Sequence, residues 1–367
     1  MDWIIPLYLA GGLLTLIVGA EGLVRGASRL AAALGVSPLI IGLTVVAFGT
    51  SSPELAVSFQ AALRGTMDIA VGNVIGSNII NILLILGISA IITPLAVHSQ
   101  LLRLDVPLMV LVSFIFYLMS LDGWIGRIEG ALLFGSLLLY IAWSIRKSRQ
   151  EQQSVKQEYA DEYGYRNGGA FGILKNIVFV AVGLGMLVIG SDWLVKGAVS
   201  LARLFRVNDL IIGLTIVALG TSLPELATSV VAAIKKERDI AVGNVIGSNI
   251  FNIMSVIGLS SLVTPTGVQV SPIALHLDIP VMLAVSLLTL PIFFVDSRIT
   301  RWEGAIMLVY LVAYFLYLVF TATANQAGAD ILIKVMFSLI LPVSLGVIAV
   351  SVIKEWRQRK SDSRTGR

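Results

Sequence analysis

The chain has no cysteine, only two histidines, and charged residues at just 13% of its 367 positions. Without thiols there is no disulfide framework, thiolate metal centre or sulfur nucleophile, and the redox compartment is not encoded. His98 and His276 do not match each other in the internal repeat described below, so zinc or copper chemistry lacks its ligands. No catalytic triad, phosphate loop or cofactor fingerprint is present, which implies neither an enzyme nor a resident cofactor. The shortage of charge says most. With 57% hydrophobic residues and a mean hydropathy of +0.91, the chain is far from soluble-domain composition and reads as a membrane protein.

A helical span needs roughly 20 apolar residues. Eleven such runs can be read, near residues 3–20, 38–63, 69–93, 104–121, 124–145, 172–196, 209–234, 240–264, 277–295, 302–321 and 331–353. Met1-Asp2-Trp3 carries no basic leader and no cleavage site follows the first run, so that span is expected to be retained. The pI near 9.3 does not indicate a nucleic-acid partner, because the basic residues cluster by loop. With the N-terminus outside, all but six of the 26 Lys and Arg fall on the inner side. That bias sets the expected orientation, N-terminus outside and basic tail cytoplasmic.

The second regularity is a repeat. GLTVVAFGTSSPELAVS at 42–58 returns as GLTIVALGTSLPELATS at 213–229, and DIAVGNVIGSNIINI at 68–82 returns as DIAVGNVIGSNIFNI at 239–253, both at an offset of 171 residues. Residues 146–171 are the one long polar stretch between the copies, and too short for a folded domain of about 50 residues. Five spans precede this linker, so the second copy enters the membrane from the opposite face. The expected fold is an all-α polytopic membrane protein with an inverted-topology repeat of two five-helix units, 1–145 and 172–321. An additional transmembrane helix within 322–353 and a basic cytoplasmic tail, 354–367, complete it.

Each copy places proline and glutamate in mid-span, Pro53-Glu54 and Pro224-Glu225. Proline forces the helix open near Gly49 and Gly220, and freed carbonyls in hydrocarbon must line a cavity or meet a ligand. Thr50 with Glu54, and Thr221 with Glu225, lie four apart on one helical face, so each half is expected to form an oxygen cup. A carboxylate at mid-membrane costs about 2.5 to 3.5 kcal/mol or more. No basic residue lies in these spans. A mobile cation is therefore the expected counter-charge, and calcium takes about six to eight oxygens, carboxylates and carbonyls among them. The third and eighth spans carry Asn73, Ser77, Asn78 and Asn81, repeated as Asn244, Ser248, Asn249 and Asn252; of these Ser77 and Asn81, four apart on one face, can add neutral oxygens to the cups. The competing reading makes them helix-packing groups beside Gly72 and Gly76.

These motifs resemble the two signature repeats of the calcium/cation antiporter superfamily, closest to its bacterial sodium/calcium exchanger branch. The likeness covers residues 1 to about 321. It implies a ten-helix exchanger core whose second, third, seventh and eighth helices hold the ions while the long first and sixth slide across them. Carried over position by position, Glu54 and Glu225 match the central acids, and Thr50, Ser51, Thr221 and Ser222 the hydroxyl and carbonyl ligands. Ser77, Ser248, Asn81 and Asn252 match the flanking ligands, and Ala47 and Ala218 the carbonyl donors to sodium. Some relatives carry aspartate where Asn81 or Asn252 stands here, an acid associated with potassium, so its absence argues against potassium. The eleventh span has no implied ion role.

The function so implied is secondary antiport of calcium against sodium by alternating access in the bacterial inner (plasma) membrane, and charge arithmetic predicts electrogenic exchange of about three sodium ions for one calcium. Calcium, sodium and the lipid bilayer are the partners, with no nucleic acid and no obligate protein partner. A calcium/proton antiporter would use the same two glutamates and the sequence does not separate it. A cation channel would need a pore formed by oligomerisation, and a receptor or scaffold leaves the duplicated acids unexplained. Among the other acids, Asp105 and Asp278 are expected as helix caps before Pro107 and Pro280. Glu21–Arg25 and Asp192–Lys196 are expected as local pairs, and Asp122, Glu129, Asp296 and Glu303 as solvated. Trp3, Trp124, Trp143, Trp302 and Trp356 fit an interfacial belt.

Overall fold

The computed structural model describes residues 3–150, 169–207, 209–212, 215–216, 218–294, 298–344 and 346. Most of the 146–171 linker, Asp296, the end of the eleventh span, Trp356 and the basic tail lie outside the described residues. Among those described, nine helices are long and apolar enough to cross a membrane. A tenth span is the broken pair Pro38–Thr50 and Ser52–Leu63, bent by 45°. The seventh span is its counterpart, built from Asp209–Ile212, Ala218–Gly220 and Leu223–Ile234. The core of the bundle is spans two, three, seven and eight, and in the eighth, Arg238–Val263, every residue from Ile240 to Gly258 is buried.

The breaks fall where proline demands. Ser51 and Ser222 leave helical geometry, with ψ near 5° at each, and Pro53 and Pro224 sit in the first turn of the helix that follows. Proline at a helix start loses nothing, because that N–H has no intrahelical acceptor. The two halves share further irregularities. Wide π turns occupy Asn81–Leu86 and Asn252–Ile257, and again Leu101–Asp105 and Ala274–Asp278. Two-residue strands join the loops: Leu95 pairs with Ile299, after the third and ninth spans, and Trp124 with Gln269, after the fourth and eighth. Such pairing needs the third and ninth spans to end on one face, which an odd number of spans per repeat provides.

The first and sixth spans run beyond their apolar cores, to Ile4–Leu34 and Gly169–Leu204. Expected to stop near residues 20 and 196, they run on to Leu34 and Leu204, and their charges pair at helical spacing, Glu21 with Arg25 and Asp192 with Lys196. The two helices cross on glycines. A Cβ on Gly12 would stand 2.6 Å from the Leu194 nitrogen, one on Gly183 2.7 Å from that of Leu23, and one on Gly190 2.8 Å from that of Leu16. Backbone contact this close is available only to glycine, so the pair packs as one unit. Its side chains in turn rest on the breaks, Leu184 against Gly49 and Val195 against Gly220.

Three expectations need correction. Asp105 and Asp278 do not cap helices: the π turns extend each helix upstream of its proline and place the acids inside it. Asp105 accepts from the Tyr140 hydroxyl at 2.8 Å and from Gln100 Nε2 at 3.4 Å, and Asp278 accepts from the Tyr314 hydroxyl at 3.3 Å. Glu303 is not solvated; it is buried and closes a capping box with Thr300. Glu129 is half-buried and accepts the Gly126 N–H at 2.7 Å. The eleventh helix begins at Gln326 and not at 331, because the Asn325 side chain caps it by accepting the Gly328 N–H at 3.0 Å.

Candidate ion-binding site

Glu54 and Glu225 are both fully buried, one turn beyond the two helix breaks. Each is held from both halves of the chain. Glu54 Oε1 accepts the Ser77 hydroxyl at 3.3 Å from its own half and the Ser222 hydroxyl at 3.2 Å from the other. Glu225 Oε1 accepts Ser248 at 3.5 Å and Ser51 at 3.0 Å in the same exchange. The cups expected within each half are therefore shared between the two halves of the chain. Thr50 donates to Asn244 Oδ1 at 3.0 Å, and Thr221 to Asn73 Oδ1 at 3.3 Å, so the threonine hydroxyls tie the halves together and do not face their own glutamates.

The asparagines do the joining. Asn73 Nδ2 donates to Ser58 at 2.9 Å and to the Glu54 carbonyl at 3.2 Å; Asn244 repeats this with Ser229 at 3.0 Å and the Glu225 carbonyl at 3.4 Å. Deeper, Asn81 Nδ2 reaches Asn249 Oδ1 and Asn252 Nδ2 reaches Asn78 Oδ1, both at 3.1 Å. Asn81 and Asn252 each open a π turn, whose extra residue turns the helix so that these amides point inward. Ser58, Ser229, Asn73, Asn244, Asn78 and Asn249 thus belong to the network although they are not among the expected ligands. The signal for Ser58 and Ser229 was their position four residues after the glutamates.

Four oxygens of this cluster are buried without a hydrogen-bond donor: Oε2 of Glu54, Oε2 of Glu225, and Oδ1 of Asn81 and of Asn252. Buried acceptors of this kind cost free energy unless something satisfies them. Among the described residues the hydrogen-bond partners of both carboxylate side chains are hydroxyls, with no ammonium or guanidinium. Two carboxyl groups and neutral amide oxygens, all hard donors, are the ligand chemistry that a hard cation takes. Of the expected carbonyl donors, that of Ala47 is buried and accepts the Ser51 N–H at 3.0 Å and the Thr50 hydroxyl at 3.3 Å, whereas Ala218 is exposed.

Comparison with known proteins places this geometry. The family model described as "Sodium/calcium exchanger protein" matches residues 4–146 and 175–323. The chain belongs to the sodium/calcium exchanger family. This exchanger is therefore a multi-pass membrane transporter of the calcium/cation antiporter superfamily. It is 40% identical over 321 residues to the putative antiporter CaxA of Alkalimonas amylolytica, covering 86% of this chain and 98% of that one. It is 34% identical over 343 residues to the sodium/calcium exchanger MaX1 of Methanosarcina acetivorans, covering 85% and 97%. Its fold matches the sodium-calcium exchanger NCX_Mj in a structure without sodium or calcium, with TM-score 0.73, 31% identity, and 86% and 99% coverage.

Proposed function

We propose that this exchanger carries calcium against sodium by alternating access, with both ions held by the side chains of Glu54 and Glu225 between the two repeats. What supports this is the pair of buried carboxylates, one from each half, each with an oxygen that no protein group satisfies. Ser51, Ser222, Ser77 and Ser248 hold the other carboxylate oxygens in place. Asn81 and Asn252 add neutral amide oxygens, and the backbone around Ala47-Thr50 and Ala218-Thr221 supplies carbonyls at the breaks. Thr50 and Thr221 position these segments through the asparagines opposite. One calcium neutralises the two acids; so do two sodium ions, which makes the species mutually exclusive occupants.

The loop charges orient this machine with the N-terminus outside and the tail cytoplasmic, so that an inward sodium gradient drives calcium out. Proteoliposomes loaded with sodium and diluted into potassium or choline medium should take up isotopic calcium. A proton gradient of the same size, imposed without sodium, should drive none. Uptake that follows the proton gradient and ignores sodium would overturn the sodium reading in favour of calcium/proton antiport.

A further inference from the structure

The two halves are not in equivalent states, and the repeat offset shows which contacts differ. Glu21 on the first span accepts from Arg25 on its own helix and, at 3.0 Å, from Lys235 Nζ at the end of the seventh span. Shifting each residue by 171 positions gives Asp192, Lys196 and Arg64. Asp192 does pair with its own-helix Lys196 at 2.7 Å, but Arg64, at the end of the second span, is exposed and makes no ion pair among the described residues. One bridge from a long helix to the end of a broken span is made, and its mirror image is not.

Burial differs in the same sense. In the eighth span Gly243, Asn244 and Gly247 are buried, with Gly243 and Gly247 packed on Leu39 and Leu43 of the second. Their counterparts in the third, Gly72, Asn73 and Gly76, are exposed or half-exposed. The second span packs tightly on the eighth, while Gly72 on the third is exposed. The closed contact and the bridge made by Lys235 accompany one access state.

We infer that Arg64 and Asp192 are positioning residues that pair in the opposite access state, in exchange for the Lys235–Glu21 pair. Resting on the antiport reading, the exchange works as follows. When the first and sixth helices slide as a unit, Glu21 leaves Lys235 and Asp192 meets Arg64. Both acids keep their own-helix partners, Arg25 and Lys196, so neither is stranded in the transition. Pairs that solvent still reaches are individually weak, as a switch that turns over must be. Each shifts the balance between the two states without locking either.

The native absence of cysteine gives a clean test. Gly72→Cys places a thiol at a position with open space around it, to be labelled by a membrane-impermeant maleimide in sealed vesicles. Adding Lys235→Met should lower the labelling rate by up to about fivefold, and adding Arg64→Met should raise it by a similar factor. Shifts in one direction for both variants, or none, overturn the exchange. If either methionine variant fails to fold, Asp192→Cys with Arg64→Cys is treated with a short reversible bis-thiosulfonate. Linkage only in the presence of calcium and sodium, blocking calcium uptake until reduced, supports the exchange. No linkage while uptake proceeds overturns it. Failure of the antiport reading has a separate signature: neither calcium nor sodium alters labelling of Gly72→Cys alone.

Discussion

Replacing both buried glutamates, Glu54→Gln with Glu225→Gln, is expected to abolish sodium-driven calcium uptake while leaving the protein folded. Each substitution keeps a side chain of the same size and one carbonyl oxygen, and removes one unit of negative charge. A charge left uncompensated at mid-membrane costs about 2.5 to 3.5 kcal/mol. Calcium facing one carboxylate in place of two should therefore bind roughly a hundredfold more weakly, and facing none more weakly still. Stability should move the other way. In calcium- and sodium-free buffer the double variant should melt no lower than the parent, because two buried ionisable groups have become neutral amides whose oxygens still accept from Ser77, Ser222, Ser51 and Ser248. Adding calcium should raise the melting temperature of the parent and not of the variant. A variant that still transports, or still gains stability from calcium, places the ion elsewhere.

Transport should also depend steeply on voltage. Two carboxylates balance one calcium or two sodium ions, so a third sodium leaves the loaded site with one net positive charge. A tenfold sodium gradient supplies about 1.4 kcal/mol per ion, and each net charge crossing 100 mV supplies about 2.3 kcal/mol. Three sodium ions and one charge thus provide about 6.5 kcal/mol, between four and five decades of calcium gradient; two sodium ions alone support about two decades. Clamping proteoliposomes with potassium and valinomycin should move the limiting calcium ratio roughly fiftyfold per 100 mV. A ratio unchanged by voltage would mean electroneutral exchange, two sodium ions per calcium.

Much of this architecture is written in the residues because a bilayer leaves few choices. The eleven apolar runs, the two prolines that must break their helices and the acids that follow them are each a departure from hydrocarbon chemistry that composition exposes. The 171-residue offset makes the departures specific by duplicating them. What the sequence conceals is whatever depends on contact between the halves. Thr50 and Glu54 share a helical face, which suggested a common ligand, yet the Thr50 hydroxyl is taken by Asn244 from the other repeat. Asn73 and Asn244 look like packing residues beside small glycines and prove to join both breaks. The π turns at Asn81 and Asn252 have no period a hydropathy pattern can reveal, since they add one residue to a turn in an apolar run. Asp105 misled because an acid two residues before proline normally starts a helix; here Tyr140, 35 residues on, provides its partner.

The most direct test of the central claim is to locate the ion. Crystals or lipid-embedded particles of this exchanger, equilibrated with strontium as a heavier stand-in for calcium, should show one strong divalent peak. Carboxylate oxygens from both Glu54 and Glu225 should lie within about 2.3 to 2.6 Å of it, and competing sodium should remove it. A divalent ion bound away from these side chains, or a peak that sodium leaves intact, would contradict the account.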